Sequence, residues 1–264
     1  MKLALHGASG RMGAAVLSLA RTNTAGSFEI VGAAAERGCA AIGRDLGEIH
    51  GMTPVGVAVQ DDIASALLGA EVVIDFSHRR AVPVLAKVAA REKIAIVSGT
   101  TGLDAAGLEA LDEAAKTVPV LWAPNMSLGI QVLAELVQHA VRRLGAGFDV
   151  EIVEVHHRNK ADAPSGTASR LAREVEQVRG ELRKVGGREG MVGARTAEEM
   201  GVLAVRGGDV VGDHTVHLLG NGERLELTHR ATSRELFARG ALFAAKAIVS
   251  RPAGRYTLAD ILRD

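Results

Sequence analysis

Residues 7–13 limit the possible folds of this chain more than any other stretch. They read Gly-Ala-Ser-Gly-Arg-Met-Gly, a Gly-x-x-Gly-x-x-Gly turn between an apolar run at 2–6 and an apolar helical run that continues to about Arg21. Glycines at this spacing permit a tight turn and close backbone approach. The helix start that follows turns unpaired N–H groups toward a pyrophosphate. Three glycines alone are a weak signal. Here a strand precedes, a helix follows, and another strand arrives at 29–35. That strand ends in Glu36-Arg37, about two dozen residues past the last glycine. An acid there accepts ribose hydroxyls, and an adjacent arginine meets a 2′-phosphate.

The alternation continues. A loop of little periodicity at 38–59 holds Cys39. A helix at 61–68 leads to a buried strand at 72–77, which ends in His78-Arg79-Arg80. A helix at 81–91, a strand at 94–98, a helix at 104–116 and a strand at 118–123 complete the series. This predicts an α/β fold with a doubly wound, Rossmann-type parallel sheet. Such sheets bind ligands beyond the carboxyl ends of their strands. Gly7, Gly10, Arg11, Met12, Gly13, Glu36 and Arg37 are therefore candidate cofactor residues. Gly99, Thr100 and Thr101 follow the 94–98 strand, where small residues let the backbone approach a nicotinamide.

Pro124-Asn125-Met126-Ser127 breaks the pattern, and a long helix runs over 127–144. Strands then follow mostly without crossover helices, at 149–157, 202–206, 210–218 and 223–231, with Asn221-Gly222 as a hairpin turn. This is an α+β second domain with a mixed or antiparallel open sheet. A polar segment at 180–201 is expected to be a mobile loop. An amphipathic helix at 233–249 and a short one at 257–262 close the chain.

Within that second domain, residues 151–168 gather chemistry. The strand delivers His156 and His157 at its end; Arg158, Lys160 and Asp162 follow; Pro164 closes the loop. Ser165-Gly166-Thr167 opens the helix of 167–179, and a helix start attracts anions. A lone histidine pair is ordinarily polar surface, and Ser-Gly-Thr is ordinarily a cap. Together in one window they suit an acidic small molecule that must be protonated. No third ligand lies at metal spacing from the histidine pair, so no metal is expected. His214, His217 and His229 lie on strands and read as structural.

Composition removes other classes. The 31 basic and 31 acidic residues leave no excess for nucleic acid. The single Cys39 allows no intrachain disulfide and fits a reducing cytoplasm. No apolar run approaches the ~20 residues of a membrane span, and the start does not read as a signal peptide.

Glu151, Glu154, His156, Lys160, Asp162, Pro164, Ser165, Gly166, Thr167 and Ala168 match a pattern of known proteins residue for residue. GASGRMG, GTTG, APNMSLG, RGGDVVGDHTV and the C-terminal helix also have counterparts there. The chain resembles, over its whole length, the 4-hydroxy-tetrahydrodipicolinate reductase (dihydrodipicolinate reductase) family. The resemblance implies a discontinuous dinucleotide-binding domain, 1–126 with 233–264, and a substrate-binding and tetramerisation domain, 127–232. It implies a cytoplasmic homotetramer of the diaminopimelate and lysine pathway. Apolar residues on both faces of the second domain's strands (Val210, Val211, Val216, Leu218, Leu219) agree, being more than a small monomer needs to hide. The implied cofactors are NADH and NADPH, with Ala123, Asn125 and Met126 among the contacts.

The implied substrate is a cyclic unsaturated imine with two carboxylates, reduced at ring carbon 4. His156 would donate the proton, as an imidazole does well near neutral pH. Lys160 would hold one carboxylate and bring positive charge to the electron-rich intermediate. Ser165, Gly166 and Thr167 would hold the other, and His157 would add a hydrogen bond. Two alternatives stand beside this reading. One is an aspartate-semialdehyde or homoserine dehydrogenase; the former needs a catalytic cysteine late in the dinucleotide domain, and Cys39 sits too early. The other is a dinucleotide-binding sensor, which would be expected to lose His156 or Lys160.

Overall fold

The computed structural model describes residues 1–22 and 28–263. They divide into two compact units, the first up to Ser127 and again from Glu235, the second Leu128–Arg234. In chain order the first unit has β1 (Lys2–His6), α1 (Arg11–Arg21), β2 (Glu29–Ala34), β3 (Val59–Gln60), α2 (Ile63–Leu67), β4 (Val72–Asp75), α3 (Val82–Glu92), β5 (Ala95–Ser98), α4 (Ala105–Ala114) and β6 (Pro119–Trp122). The second has α5 (Leu128–Leu144), β7 (Asp149–His156), α6 (Gly166–Arg179), β8 (Arg183–Val185), β9 (Glu199–Arg206), β10 (Gly212–Leu219) and β11 (Arg224–Ala231). The first unit then resumes with α7 (Glu235–Ile248), β12 (Gly254–Tyr256) and α8 (Leu258–Leu262).

The first unit's sheet runs β12-β6-β5-β4-β1-β2-β3, and every pairing is parallel. The strand order reverses between β1 and β4, the topological switch point of a doubly wound sheet. β4 and β5 are buried at every position, as strands covered on both faces must be. Val73, Ile96 and Val120 of the sheet pack with Leu85 and Ala89 of α3 and Leu111 of α4. Burying each large side chain contributes ~1.5–3 kcal/mol. β3 and β12 were not expected from the sequence. Two- and three-residue strands are too short for an alternating pattern to show. The aperiodic segment before β3 is ordered by Asp45. Its carboxylate accepts from the N–H groups of Gly47 (2.7 Å), Val55 (3.0 Å) and Gly56 (2.7 Å).

The second unit's sheet is mixed, in the order β11-β10-β7-β9-β8. β11, β10 and β7 are antiparallel neighbours; β7, β9 and β8 are parallel, with α6 in the crossover from β7. Val150, Ile152, Val216 and Leu218 face inward against Leu133 and Val137 of α5 and Leu171 and Val175 of α6. Val210 and Val211 precede β10, and Leu219 faces outward. β7 alternates strictly, yet Glu154 and His156 fall on its buried face while Val153 and Val155 fall on the other.

The segment 180–201, expected to be a mobile loop, has no helix or strand over 186–198 but is bordered by strands. It contains β8, and β9 already begins at Glu199. Arg188 bridges Glu151 (3.1 Å) and Glu199 (2.9 Å), and Arg195 bridges Glu151 (3.0 Å) and Asp149 (2.6 Å). The charges that read as solvated coil are neutralised by carboxylates on two adjacent strands. A shared network of this kind holds a segment where an isolated surface pair would not.

Candidate active site

Residues two apart on a strand point the same way, so β7 carries Glu154 and His156 into the interior together. The Glu154 carboxylate is fully enclosed and collects four donors. His156 Nδ1 lies 2.5 Å from Oε2, and Arg206 grips both oxygens at 2.7 Å. The Ser165 N–H reaches Oε1 at 2.9 Å. The parallel register of β7 and β9 sets His156 beside Arg206. Burial opposes ionisation of Glu154, but the Arg206 guanidinium, His156 and the Ser165 N–H outweigh it and hold the carboxyl below the usual range. An ionised Glu154 fixes the imidazole with its proton on Nδ1, leaving Nε2 outside that bond. That nitrogen faces Gly212 of β10, where an added Cβ would stand 2.9 Å away.

His214, also on β10, meets the His156 ring edge-on at 5.1 Å, and its Nε2 lies 3.1 Å from Ser165 Oγ. Burial, reinforced by His156, pushes His214 down to about 4, so it stays neutral at neutral pH. Of the three strand histidines read as structural, this one belongs to the cluster. Ser165 is the N-cap of α6, its Oγ accepting from the Ala168 N–H at 3.1 Å. With its N–H on Glu154 and its hydroxyl shared between Ala168 and His214, Ser165 is committed to holding the loop. Exposure at this helix end falls instead to Gly166.

Lys160 Nζ lies 2.7 and 2.9 Å from the two oxygens of Asp162. Lys160 in turn holds that carboxyl below the usual range, against a smaller opposing effect of burial. Arg206 donates to the Asp162 carbonyl at 2.7 Å, so the guanidinium that grips Glu154 also fixes the lysine's partner. His157 Nε2 lies 3.3 Å from Arg234 Nη2, and Arg158 is exposed. Glu154 and Arg206 were not singled out as working residues from the sequence. A Glu and a His at i and i+2 among inward apolar residues are a legible signal for the first. The second depends on strand register and leaves no local trace.

In the first unit, Gly7 has φ +76°, and a Cβ there would stand 2.5 Å from the Phe76 carbonyl oxygen. A Cβ on Gly13 would stand 2.2 Å from that of Ala8. Neither position accepts a side chain. Gly10 caps α1 without any side-chain hydrogen bond, which leaves the helix start open to an anion. His6, Gly7, Gly10, Glu36, Arg37 and Ser77 are among the residues around a cavity of about 740 Å³, within the range of small-molecule sites. Arg37 is largely exposed, its Nε 3.3 Å from Asp61, a weak pair that yields readily to a phosphate.

Arg11 is exposed and Met12 half-buried. Beyond β5, Gly99 is buried and Thr101 exposed, while the Thr100 hydroxyl donates to Asp75 at 2.8 Å. After β6, the Ala123 N–H donates to the Ser98 carbonyl (3.0 Å), Asn125 Oδ1 accepts from the Ser127 N–H (2.8 Å), and the Met126 side chain is buried. A cradle that any Cβ would fill, together with an uncapped helix start, fits the pyrophosphate of a dinucleotide.

Comparison with known proteins agrees with this architecture. The family model described as dihydrodipicolinate reductase, N-terminus, matches residues 1–126, and that described as dihydrodipicolinate reductase, C-terminus, matches 129–262. A protein of Anaeromyxobacter dehalogenans named 4-hydroxy-tetrahydrodipicolinate reductase is 47% identical over 264 residues, covering 99% of this chain and 97% of its own. One of the same name from Methanopyrus kandleri is 47% identical over 261 residues, covering 97% and 94%. Among solved structures, the dipicolinate-bound dihydrodipicolinate reductase of Paenisporosarcina sp. TG-14 superposes with a TM-score of 0.78 at 23% identity, covering 97% of each chain.

Proposed function

The chain belongs to the dihydrodipicolinate reductase family, and on that premise we propose that it reduces 4-hydroxy-2,3,4,5-tetrahydrodipicolinate to tetrahydrodipicolinate in diaminopimelate and lysine biosynthesis. The observation that carries the reading is the buried Glu154–Arg206–His156 cluster at the root of a loop bearing Lys160 and the start of α6. Nothing about a dinucleotide-binding protein alone calls for a fixed proton donor beside an anion site.

Each side chain then has a task. The Gly7–Gly13 turn holds the pyrophosphate, Glu36 the ribose, and the Gly99–Thr101 turn with Ala123, Asn125 and Met126 the nicotinamide half. The 4-hydroxyl leaves with a neighbouring ring proton as water, giving the conjugated imine, and NADH or NADPH bound here would supply hydride to its ring carbon 4. His156 gives a proton from Nε2 to the resulting enamine, and Glu154 steadies the imidazolium from the other side. Lys160 takes one carboxylate in exchange for Asp162. Gly166 and Thr167 at the start of α6 take the other, on a loop that Ser165 fastens, and His157 adds a hydrogen bond. Residues 1–126 with 233–264 serve the cofactor, and residues 127–232 serve the substrate and assembly. Val153, Val155, Leu203 and the exposed Val205 form adjacent rows on the outer face of the second sheet, supporting a homotetramer joined through it. No helix among the described residues is long and apolar enough to cross a membrane. We place the enzyme in the cytoplasm with its pathway.

Two predictions follow from the anion sites. Glu36 and Arg37 favour opposite dinucleotides, so both NADH and NADPH are used. Arg37→Ala weakens NADPH selectively; an equal loss for NADH would remove Arg37 as the phosphate contact. Pyridine-2,6-dicarboxylate, a flat ring with carboxylates at the same two positions, binds the substrate site without reacting. Lys160→Met weakens it by about one to two powers of ten, as losing a charge-assisted contact of ~1.5–3 kcal/mol requires. Arg158→Met does much less. Calorimetric titration of both variants with reduced cofactor bound decides the matter. Equal losses would reduce the loop to a diffuse positive surface, and a wild-type protein that ignored the ring would lose its dicarboxylate substrate.

A further inference from the structure

Asp75 is fully enclosed at the carboxyl end of β4, and no step above uses it. Its register neighbours are His6 on β1 and Ser98 on β5. In a parallel sheet such neighbours present their side chains on the same face. The carboxylate divides between them. Oδ1 takes His6 Nδ1 at 2.9 Å and the Ser77 N–H at 3.1 Å. Oδ2 takes Ser98 Oγ at 2.6 Å and Thr100 Oγ1 at 2.8 Å. Trp122 Nε1 adds a bond to the Thr100 carbonyl at 2.9 Å.

The placement gives this network a purpose. His6 immediately precedes the Gly7–Gly13 turn and lines the cavity beside it. Ser98 immediately precedes the Gly99–Gly102 turn, and Thr100 lies within it. The two turns sit on opposite sides of β4, across the switch point of the sheet. A neutral polar residue at position 75 would satisfy some of these donors. A carboxylate satisfies all four, and the imidazole beside it offsets the cost of burying its charge.

We propose that Asp75 is a positioning residue for the hydride donor, one carboxylate that holds the pyrophosphate turn and the nicotinamide-side turn at a fixed separation through His6 on one side and Ser98 and Thr100 on the other. The proposal rests on reading the first unit as the dinucleotide site and assigns that site a component it otherwise lacks. It also changes the part of Thr100, whose hydroxyl serves Asp75 and leaves only its backbone for the cofactor.

The test compares Thr100→Val, which keeps shape and loses the hydroxyl, with Thr100→Ser, which keeps it, and adds Asp75→Asn. In Thr100→Val, kcat at saturating NADPH falls on the order of 10–100-fold, the cost of slight misplacement of a reacting group. The primary isotope effect with 4-deuterated NADPH rises, and affinity for pyridine-2,6-dicarboxylate holds. Amide exchange of residues 99–102 quickens in the cofactor-free protein. Thr100→Ser restores all of these. Asp75→Asn, if it folds, shows the same pattern more strongly; if it does not, the Thr100 pair decides alone. A Thr100→Val protein with wild-type kcat, isotope effect and exchange would overturn the proposal. So would a rate loss matched by lost folded fraction with an unchanged isotope effect. Calorimetry of NADPH with wild-type protein separates the underlying reading: no binding there would remove the dinucleotide site itself, and Asp75's role with it.

Discussion

His156→Gln is expected to lower kcat by roughly 10²–10⁴, the usual contribution of a general acid. Glutamine fills much of the imidazole's volume, and its amide can still donate to Glu154, so the cluster keeps its shape. It has no proton to release near neutral pH. Affinities for NADPH and for pyridine-2,6-dicarboxylate should therefore change little while turnover collapses. Steady-state kinetics beside calorimetry of both ligands reads this split directly. A variant with near-normal kcat would remove His156 from the mechanism, whatever its position beside Glu154.

The second large effect is on stability. Arg206→Met leaves Glu154 enclosed with only His156 and the Ser165 N–H for company. Breaking a buried pair by removing one partner typically costs about 3–5 kcal/mol, because the remaining charge stays desolvated. Urea unfolding should show a loss of that order, and Glu154→Gln in the Arg206→Met background should recover part of it. The pH matters to the measurement. Glu154's carboxyl is depressed in the folded state, so its contribution is present above the ordinary carboxylate range and fades as pH falls through the folded value. His214 is depressed to about 4, so the unfolded chain takes up its proton first and stability also falls between the ordinary histidine value of ~6.5 and 4. At about pH 8 neither group titrates, and the comparison isolates the ion pair. A loss below about 1 kcal/mol would put Arg206–Glu154 on the footing of an exposed pair.

Legibility in the sequence follows the range of the interaction. The parallel sheet was readable because each strand is a short apolar run bounded by a helix or a glycine turn. The second sheet was readable only as mixed or antiparallel: Asn221-Gly222 marks the β10–β11 hairpin, while the parallel pairing of β7, β9 and β8 appears only in the structure. His156, Lys160 and Ser165 stood out because they share one short loop. The roles of Arg206 and His214 did not, since they lie on β9 and β10 and meet Glu154 and His156 of β7 only through register. The ion pairs of residues 180–201 were hidden for the same reason. Their arginines look solvated until Glu151 and Glu199 are known to lie beside them. Asp75 lies within the run at 72–77 with no local mark of a role, and only the adjacency of β1, β4 and β5 shows how its two oxygens are shared.

The central claim is that this chain brings reduced nicotinamide to a cyclic dicarboxylate imine. The most direct measurement follows NADPH and NADH absorbance with the purified protein and substrate generated in place by the synthase that precedes it in the pathway. The account predicts oxidation of either cofactor that requires both the protein and the synthase product, and that stops when pyridine-2,6-dicarboxylate is added. Absence of oxidation with that substrate, together with turnover of aspartate semialdehyde or homoserine, would contradict it.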